Sequence, residues 1–249
     1  MPATVVERRL AELKREVARA LPRPLGGSQR ARSGRRSKTR RWTWADVAVI
    51  GAKATVVVVL PLLVYVRAAV ELYQRGVTPW LAVASAAFVA MGSVAAMALW
   101  YARGKGAPLR ALTALRWVAI PTFAAWCLFA LFRLSSTNTK TEGVRDYFSQ
   151  VHPVLRVAIA TAILADPAVI ITDFGRSAAD YTRMGLRVND RTKHYRQPNG
   201  WVHAVDLRTI GRGEIRNRLL QAYFAVMGFQ TLRHVGTADH LHVQLAVRE

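Results

Sequence analysis

The sequence predicts an α-helical membrane region of three spanning helices, followed by a small α+β domain. Three observations carry this expectation. Apolar residues concentrate in three runs between Ala45 and Phe132. Beyond residue 150 the pattern changes to short β-branched and alternating runs separated by turn residues. Five of the six histidines, His194, His203, His234, His240 and His242, fall in the last quarter of the chain. The expected segments are a basic cytoplasmic tail (1–43), a transmembrane region (44–133), a linker (134–150) and a C-terminal domain (151–249).

The tail opens with Val6, Leu10, Leu13, Val17 and Leu21, spaced three and four apart as on one face of a helix. Pro22 and Pro24 end it. Gly26 to Arg41 is Arg, Ser and Gly with almost nothing to bury, the composition of a disordered segment. No secretory signal peptide is expected, because the apolar run starts late and lacks a cleavage site.

The three runs are Val47 to Val66, Trp80 to Tyr101 and Leu115 to Phe132, each near the ~20 residues that cross a ~30 Å hydrocarbon layer. The second is free of charge and has aromatic residues at both ends, as interfacial belts do. Lys53 in the first run lies close enough to its cytoplasmic end to snorkel to the headgroups. Pro61 and Pro121 permit kinks without preventing a span. The tail is densely basic, the loop from Arg67 to Pro79 weakly charged, and the loop from Arg103 to Arg116 strongly basic. The positive-inside rule then places the amino terminus in the cytoplasm and everything after Arg133 outside. The same rule accounts for the formal charge of +21, so nucleic-acid binding is not expected. Cys127 is the only cysteine, which excludes an intramolecular disulfide and a cysteine-ligated zinc site.

In the C-terminal part, Leu134 to Gly143 reads as a polar linker and HPVLRVAIATAILAD as a helix. AVIITD reads as a buried strand and Ser177 to Met184 as a helix. His194 to Leu207 reads as a hairpin turning at Pro198-Asn199-Gly200. Glu214 to Met227 is a helix stopped by Gly228. FQTLRHV and LHVQLAV alternate as two antiparallel strands.

Catalytic zinc sites use three protein ligands and leave a fourth position to water, whose pKa the ion lowers toward ~7. Two segments supply suitable groups: HYRQPNGWVHAVDL, with His194, His203 and Asp206, and ADHLHVQL, with Asp239, His240 and His242. Residues two apart on a strand share a face. His240 and His242 therefore point the same way, one to bind metal and the other to act on substrate. Asp239 points elsewhere unless the strand begins only at His240. His234 reads as structural or as support for a ligand, and His152, before Pro153, as a helix-entry residue. Tyr181, Arg183 and Tyr195 are placed in a cleft or in the core, and Trp201 in hairpin packing or on a sugar-stacking surface.

The pairing of H…G…H-A-V-D-L with a late D-H-L-H-V resembles the D-alanyl-D-alanine carboxypeptidase and murein endopeptidase group of zinc peptidases, which shares its fold with the hedgehog signalling domain. The resemblance covers about Val151 to Val247 and none of the membrane part. It implies a hedgehog/DD-peptidase type domain with Zn2+ held by His194, Asp206 and His242, and His203 as the alternative ligand. Thr192 stands where the group has Ser. The longer His194–Asp206 spacing is met by a hairpin insertion over Gln197 to Gly200. Asp239 stands at the general-base Glu of an E-x-x-H motif, and His240 is the first His of an H-x-H motif and the other candidate base. Arg176, in TDFGRSAADY, matches an arginine that contacts substrate or the developing oxyanion. The implied activity is hydrolysis of peptide bonds in peptidoglycan, by a metallopeptidase anchored in the bacterial cytoplasmic membrane with its catalytic domain outside. Two further readings are a catalytically inactive hedgehog-type domain that binds cell-wall peptide or a partner, and a prophage lysis protein. A holin-like or transport unit is also compatible with the helices, and no protein partner follows from the sequence.

Overall fold

A computed structural model describes residues 5–20, 43–104, 106–236 and 239–246. The chain divides into two compact units, Met1–Val47 and Ala48–Glu249. The first holds α1 (Val5–Ala20), where the expected apolar face leaves Leu10 and Leu13 half exposed. The stop at Pro22 and Pro24 and the segment Gly26 to Arg41 lie outside the described residues.

The helix α2 (Trp44–Gln74) contains the first apolar run, passes unbroken through Pro61 within it and continues beyond Val66. Its start is fixed by a reciprocal cap: Thr43 N–H donates to Asp46 Oδ2 at 3.1 Å and Asp46 N–H to Thr43 Oγ1 at 3.2 Å. The side chain of Lys53 is outside the described set. Next come α3 (Pro79–Arg103) and α4 (Pro108–Ala114). A π-helical turn over Leu115–Ala119 leads without a break into α5 (Ile120–Phe132). Pro121 explains the widened turn. It has no N–H to donate and its ring crowds the carbonyl four residues back, so the helix relaxes there.

Two stretches, Pro79–Arg103 and Leu109–Phe132, are long and apolar enough to cross a membrane. They are not core helices: Phe88 is 80% exposed and Trp117 68%, and large rings left uncovered in this way suit contact with lipid.

After Phe132 the segment expected as a linker is built into the second unit. It forms a short 3-10 turn at Ser136–Asn138, then α6 (Glu142–Asp146), then a 3-10 turn at Tyr147–Gln150. Its polarity serves hydrogen bonding. Buried Asn138 donates through Nδ2 to the carbonyls of Pro167 and Val169, both at 2.9 Å, and Lys140 N–H donates to Ile171 O.

The next helix, α7 (Pro153–Ala165), is apolar on nearly all sides and correspondingly buried. It packs against α3 and α5, joining the apolar helices to the domain. Its one buried cation, Arg156, is satisfied by three carbonyls. The guanidinium donates to Val151 O at 2.7 Å, Leu131 O at 2.9 Å and Ser149 O. The bond to Leu131 also caps the end of α5.

The remaining elements are β1 (Ile171–Asp173), α8 (Ala178–Arg183), β2 (Ala204–Arg208), α9 (Glu214–Met227), β3 (Gln230–His234) and β4 (His240–Gln244). The four strands form one antiparallel sheet in the order β1-β2-β4-β3. The architecture is therefore mixed α+β, with its sheet after the apolar helices. A capping box between Ser177 and Asp180 starts α8, and Gly228, at φ 97°, closes α9 in the left-handed region that favours glycine. Val205, Leu207, Leu241 and Val243 are fully buried on the core side of the sheet.

One expectation is corrected. Residues 194 to 203 form no strand and β2 does not pair with them; its neighbours are β1 and β4. The turn at Gln197 to Gly200 exists, with Gly200 N–H donating to Gln197 O at 2.8 Å. Pro198 and the turn residues around it break the alternation that a ladder needs, so this segment is an irregular loop that delivers His194.

Candidate metal centre

The site is assembled on the central strand pair. Asp206 on β2 lies directly opposite His242 on β4, and cross-strand partners of this kind have Cβ atoms ~5 Å apart on one face. On β4, Leu241 and Val243 turn into the core while His240, His242 and Gln244 turn to the other side, as period-two alternation requires. His194 arrives from the loop, held where its carbonyl accepts from Arg176 N–H at 3.0 Å. Gly175 makes this approach possible, since a Cβ there would lie 2.9 Å from Tyr147 Cδ1.

Three atoms converge. His242 Nδ1 is 2.8 Å from Asp206 Oδ1, and His194 Nε2 is 3.2 Å from both. Donor atoms around a tetrahedral zinc at ~2.1 Å lie about 3.4 Å apart, so the trio closes on an ion-sized point. The far side of each ring is engaged. His194 Nδ1–H donates to Phe174 O at 2.7 Å, and His242 Nε2–H donates to Gln244 Oε1 at 3.3 Å. These bonds assign the tautomers and turn the near nitrogens' lone pairs toward Asp206. Two imidazole lone pairs and a carboxylate then face one another, and a cation or a shared proton must lie between them. His194, Asp206 and His242 thus form a group able to hold a metal ion.

Electrostatics agree with this reading. Burial works to raise the Asp206 carboxyl, but the hydrogen bonds to His194 and His242 outweigh it and hold the group well below the usual carboxylate range. The hydrogen bond to Asp206 raises the His242 imidazole, against the opposing effect of its burial. The trio opens into a cleft of 570 Å³ whose walls include Arg176, Thr192, His234 and His240, with Gln230 to Leu232 along one side.

The other expected residues separate clearly. His240 lines the cleft, with Nε2 3.8 Å from Asp206 Oδ2 and its ring stacked on His234 at 4.6 Å. Arg176 lines it too: Nε donates to Asp173 Oδ2 at 2.7 Å, and Nη2 is 3.9 Å from Asp206 Oδ2.

Asp239 is not brought to the site. Its carboxylate is gripped by Arg233, at 2.6 and 2.9 Å, and by the Thr209 hydroxyl, bonds that pull its pKa down to about 2.

His203, the alternative ligand, lies on the core side of β2. Its Nε2 meets Asn199 and its ring packs against His152 and Tyr73. Because strand residues alternate, a histidine three positions before Asp206 points away from it. His152 takes the expected helix-entry position, accepting from Val154 N–H at 3.3 Å. Tyr181, Arg183 and Tyr195 are not in the cleft wall. Trp201 packs edge-on to Trp80 at 6.1 Å.

Three contributors escaped the sequence reading. Gln244 had a readable signal, since it continues the alternation of His240 and His242. Asp173, three residues before Arg176, had a weaker one. The Phe174 carbonyl is a backbone group, which no side-chain pattern announces.

Comparison of the chain with protein-family models, curated proteins and solved structures returned no match.

Proposed function

We propose that this chain is a membrane-anchored zinc peptidase that hydrolyses peptide bonds of peptidoglycan. The observation that carries the reading is the trio of His194 Nε2, Asp206 Oδ1 and His242 Nδ1, whose far nitrogens are already committed to carbonyl acceptors. The donor set, two neutral imidazoles and one carboxylate with an open cleft beside them, suits a catalytic zinc. When bound, the ion supplies a hydroxide-like water at neutral pH and polarises the scissile carbonyl.

The chain's own groups do the rest. His240 accepts the proton of the attacking water at Nε2 and returns one to the leaving amine, the general acid–base role that suits an imidazole. The Arg176 guanidinium, aimed by Asp173, faces the negative charge that develops on the carbonyl oxygen. Asp206 holds its charge through the cycle. With three spanning helices, the first within α2, the positive-inside rule favours an amino terminus in the cytoplasm and a domain on the outer face of a bacterial cytoplasmic membrane, where stem peptides and cross-bridges are within reach. The hedgehog/DD-peptidase fold type and the peptidoglycan substrate both rest on the motif resemblance.

The test is digestion of purified peptidoglycan by the full chain in detergent, with and without chelator and with His194→Ala as control. New muropeptides that disappear in both controls support the reading. Unchanged muropeptides from protein that carries stoichiometric zinc would overturn it and leave a wall-peptide-binding domain.

A further inference from the structure

The outward face of α9 breaks the usual rule for a domain helix. Its inner face, Leu220, Phe224 and Met227, is buried as expected. The opposite face repeats Ile215, Leu219, Ala222 and Val226 at helical spacing and is also apolar, with Ile215 77%, Leu219 65% and Val226 69% exposed. A soluble domain would present polar residues there.

This face borders a groove of 620 Å³ between α2, the end of α7 and α9, within the volume range of sites that hold extended small molecules. One wall is Val58, Val59, Leu62 and Leu63 of α2, and the other includes Leu164 and Leu219. The α2 wall belongs to the apolar run read from the sequence as a span, and on that reading the groove opens toward lipid. Two charged residues line the groove, Asp166 and Arg216. The Asp166 carboxylate is taken up by Arg212 at 2.5 Å and also feels the charge of Arg216, whose exposed guanidinium makes no salt bridge among the described residues and leaves the rim one positive charge in excess.

We infer that this groove binds an anionic phospholipid of the surrounding bilayer, with an acyl chain between α2 and α9 and the headgroup phosphate on Arg216. Continuity with α2 selects a membrane lipid over a soluble apolar ligand. The exposed Arg216 guanidinium selects an anionic headgroup, because arginine offers a fork of donors to phosphate oxygens. With lipid in place, the outer stripe of α9 lies along the membrane surface as interfacial helices do, apolar side down with cations at the headgroups. The inference rests on the membrane reading of α2 and is independent of the peptidase reading.

The full chain purified in dodecyl maltoside is offered phosphatidylglycerol and phosphatidylcholine at equal concentration, and bound lipid is counted by native mass spectrometry. The wild type retains phosphatidylglycerol preferentially. Arg216→Gln lowers that preference roughly fivefold, the effect of one cation near a charged surface, and keeps phosphatidylcholine. Leu219→Arg loses both lipids. Both positions are exposed, so an unchanged melting temperature separates loss of the site from misfolding. Equal lipid retention by all three proteins would overturn the inference, as would a dimer that Leu219→Arg splits. Release of the chain from membranes by alkaline carbonate would remove the membrane reading and this inference together. Retention in membranes with indistinguishable variants would remove this inference alone.

Discussion

Two histidine clusters lie on opposite sides of β2, and they behave in opposite ways. On one side His194 and His242 share a carboxylate, and each far nitrogen has a carbonyl acceptor. On the other, His152 and His203 pack ring against ring at 4.8 Å with no carboxylate between them. There His152 Nε2 and His203 Nδ1 have no hydrogen-bond partner among the described residues. Burial pushes the His152 imidazole down to about 2, helped by His203 and Arg156, and the His203 imidazole down to about 4, helped by Lys193. Both clusters are buried, so burial alone does not make a ligand set. An anion at the centre and acceptors behind the rings do.

The comparison breaks most sharply on metal content. His194→Ala and Asp206→Ala should purify without metal and without activity, while His203→Ala keeps stoichiometric metal by elemental analysis. Metal lost from the last variant alone would reverse the assignment of the two sides.

Next in size, His240→Ala should keep the metal and lose roughly 10²–10⁴-fold in turnover, the range for a general acid–base group. Asp239→Asn should change turnover little, because its carboxylate already serves Arg233. Equal losses from both would return Asp239 to the mechanism.

Gln244→Leu removes the acceptor behind His242 and should weaken metal affinity by ~10–100-fold in a competitive chelator titration. Protonated His242 cannot ligate, and the hydrogen bond to Asp206 raises its imidazole in the metal-free chain, so protons compete with the metal there and affinity should weaken as pH falls in the same titration.

The smallest effect is on stability. The folded pKa values of His152 and His203 lie below the usual 6.5, so the folded chain prefers them neutral. Their contribution is present above pH 6.5 and is lost as pH falls from there, down to about 4 for His203 and on toward about 2 for His152. Thermal unfolding of the chelated protein at pH 7.5 and 5 should show the loss. His203→Ala should cost about 2 kcal/mol at neutral pH from lost packing and the broken Asn199 bond, and should flatten the pH dependence.

What was legible in the sequence follows physical locality. The paired strands around His242 were readable because alternation is a property of neighbouring residues. So were α7 and α9, where periodicity, a proline start and the Gly228 stop agree. The trio itself is legible through motif resemblance rather than periodicity. The loop carrying His194 was misread as a hairpin because its path depends on distant partners: Gly175 against Tyr147, Arg176 N–H to His194 O. Asn138 looked like linker polarity for the same reason, since its acceptors at Pro167 and Val169 are far along the chain. His203 looked like a ligand by spelling alone, and only the facing of β2 separates it from Asp206.

The 31 residues of α2 make a rod of about 46 Å at 1.5 Å per residue, longer than a hydrocarbon layer of ~30 Å. Near its far end Tyr73 meets His152 at 4.3 Å, and its hydroxyl accepts from Asn199, in the same loop that carries His194. A domain mounted on such a post cannot roam as one on a flexible leash would. On the membrane-anchored reading proposed above, the cleft would stand at a fixed height, and a substrate would have to be carried to it.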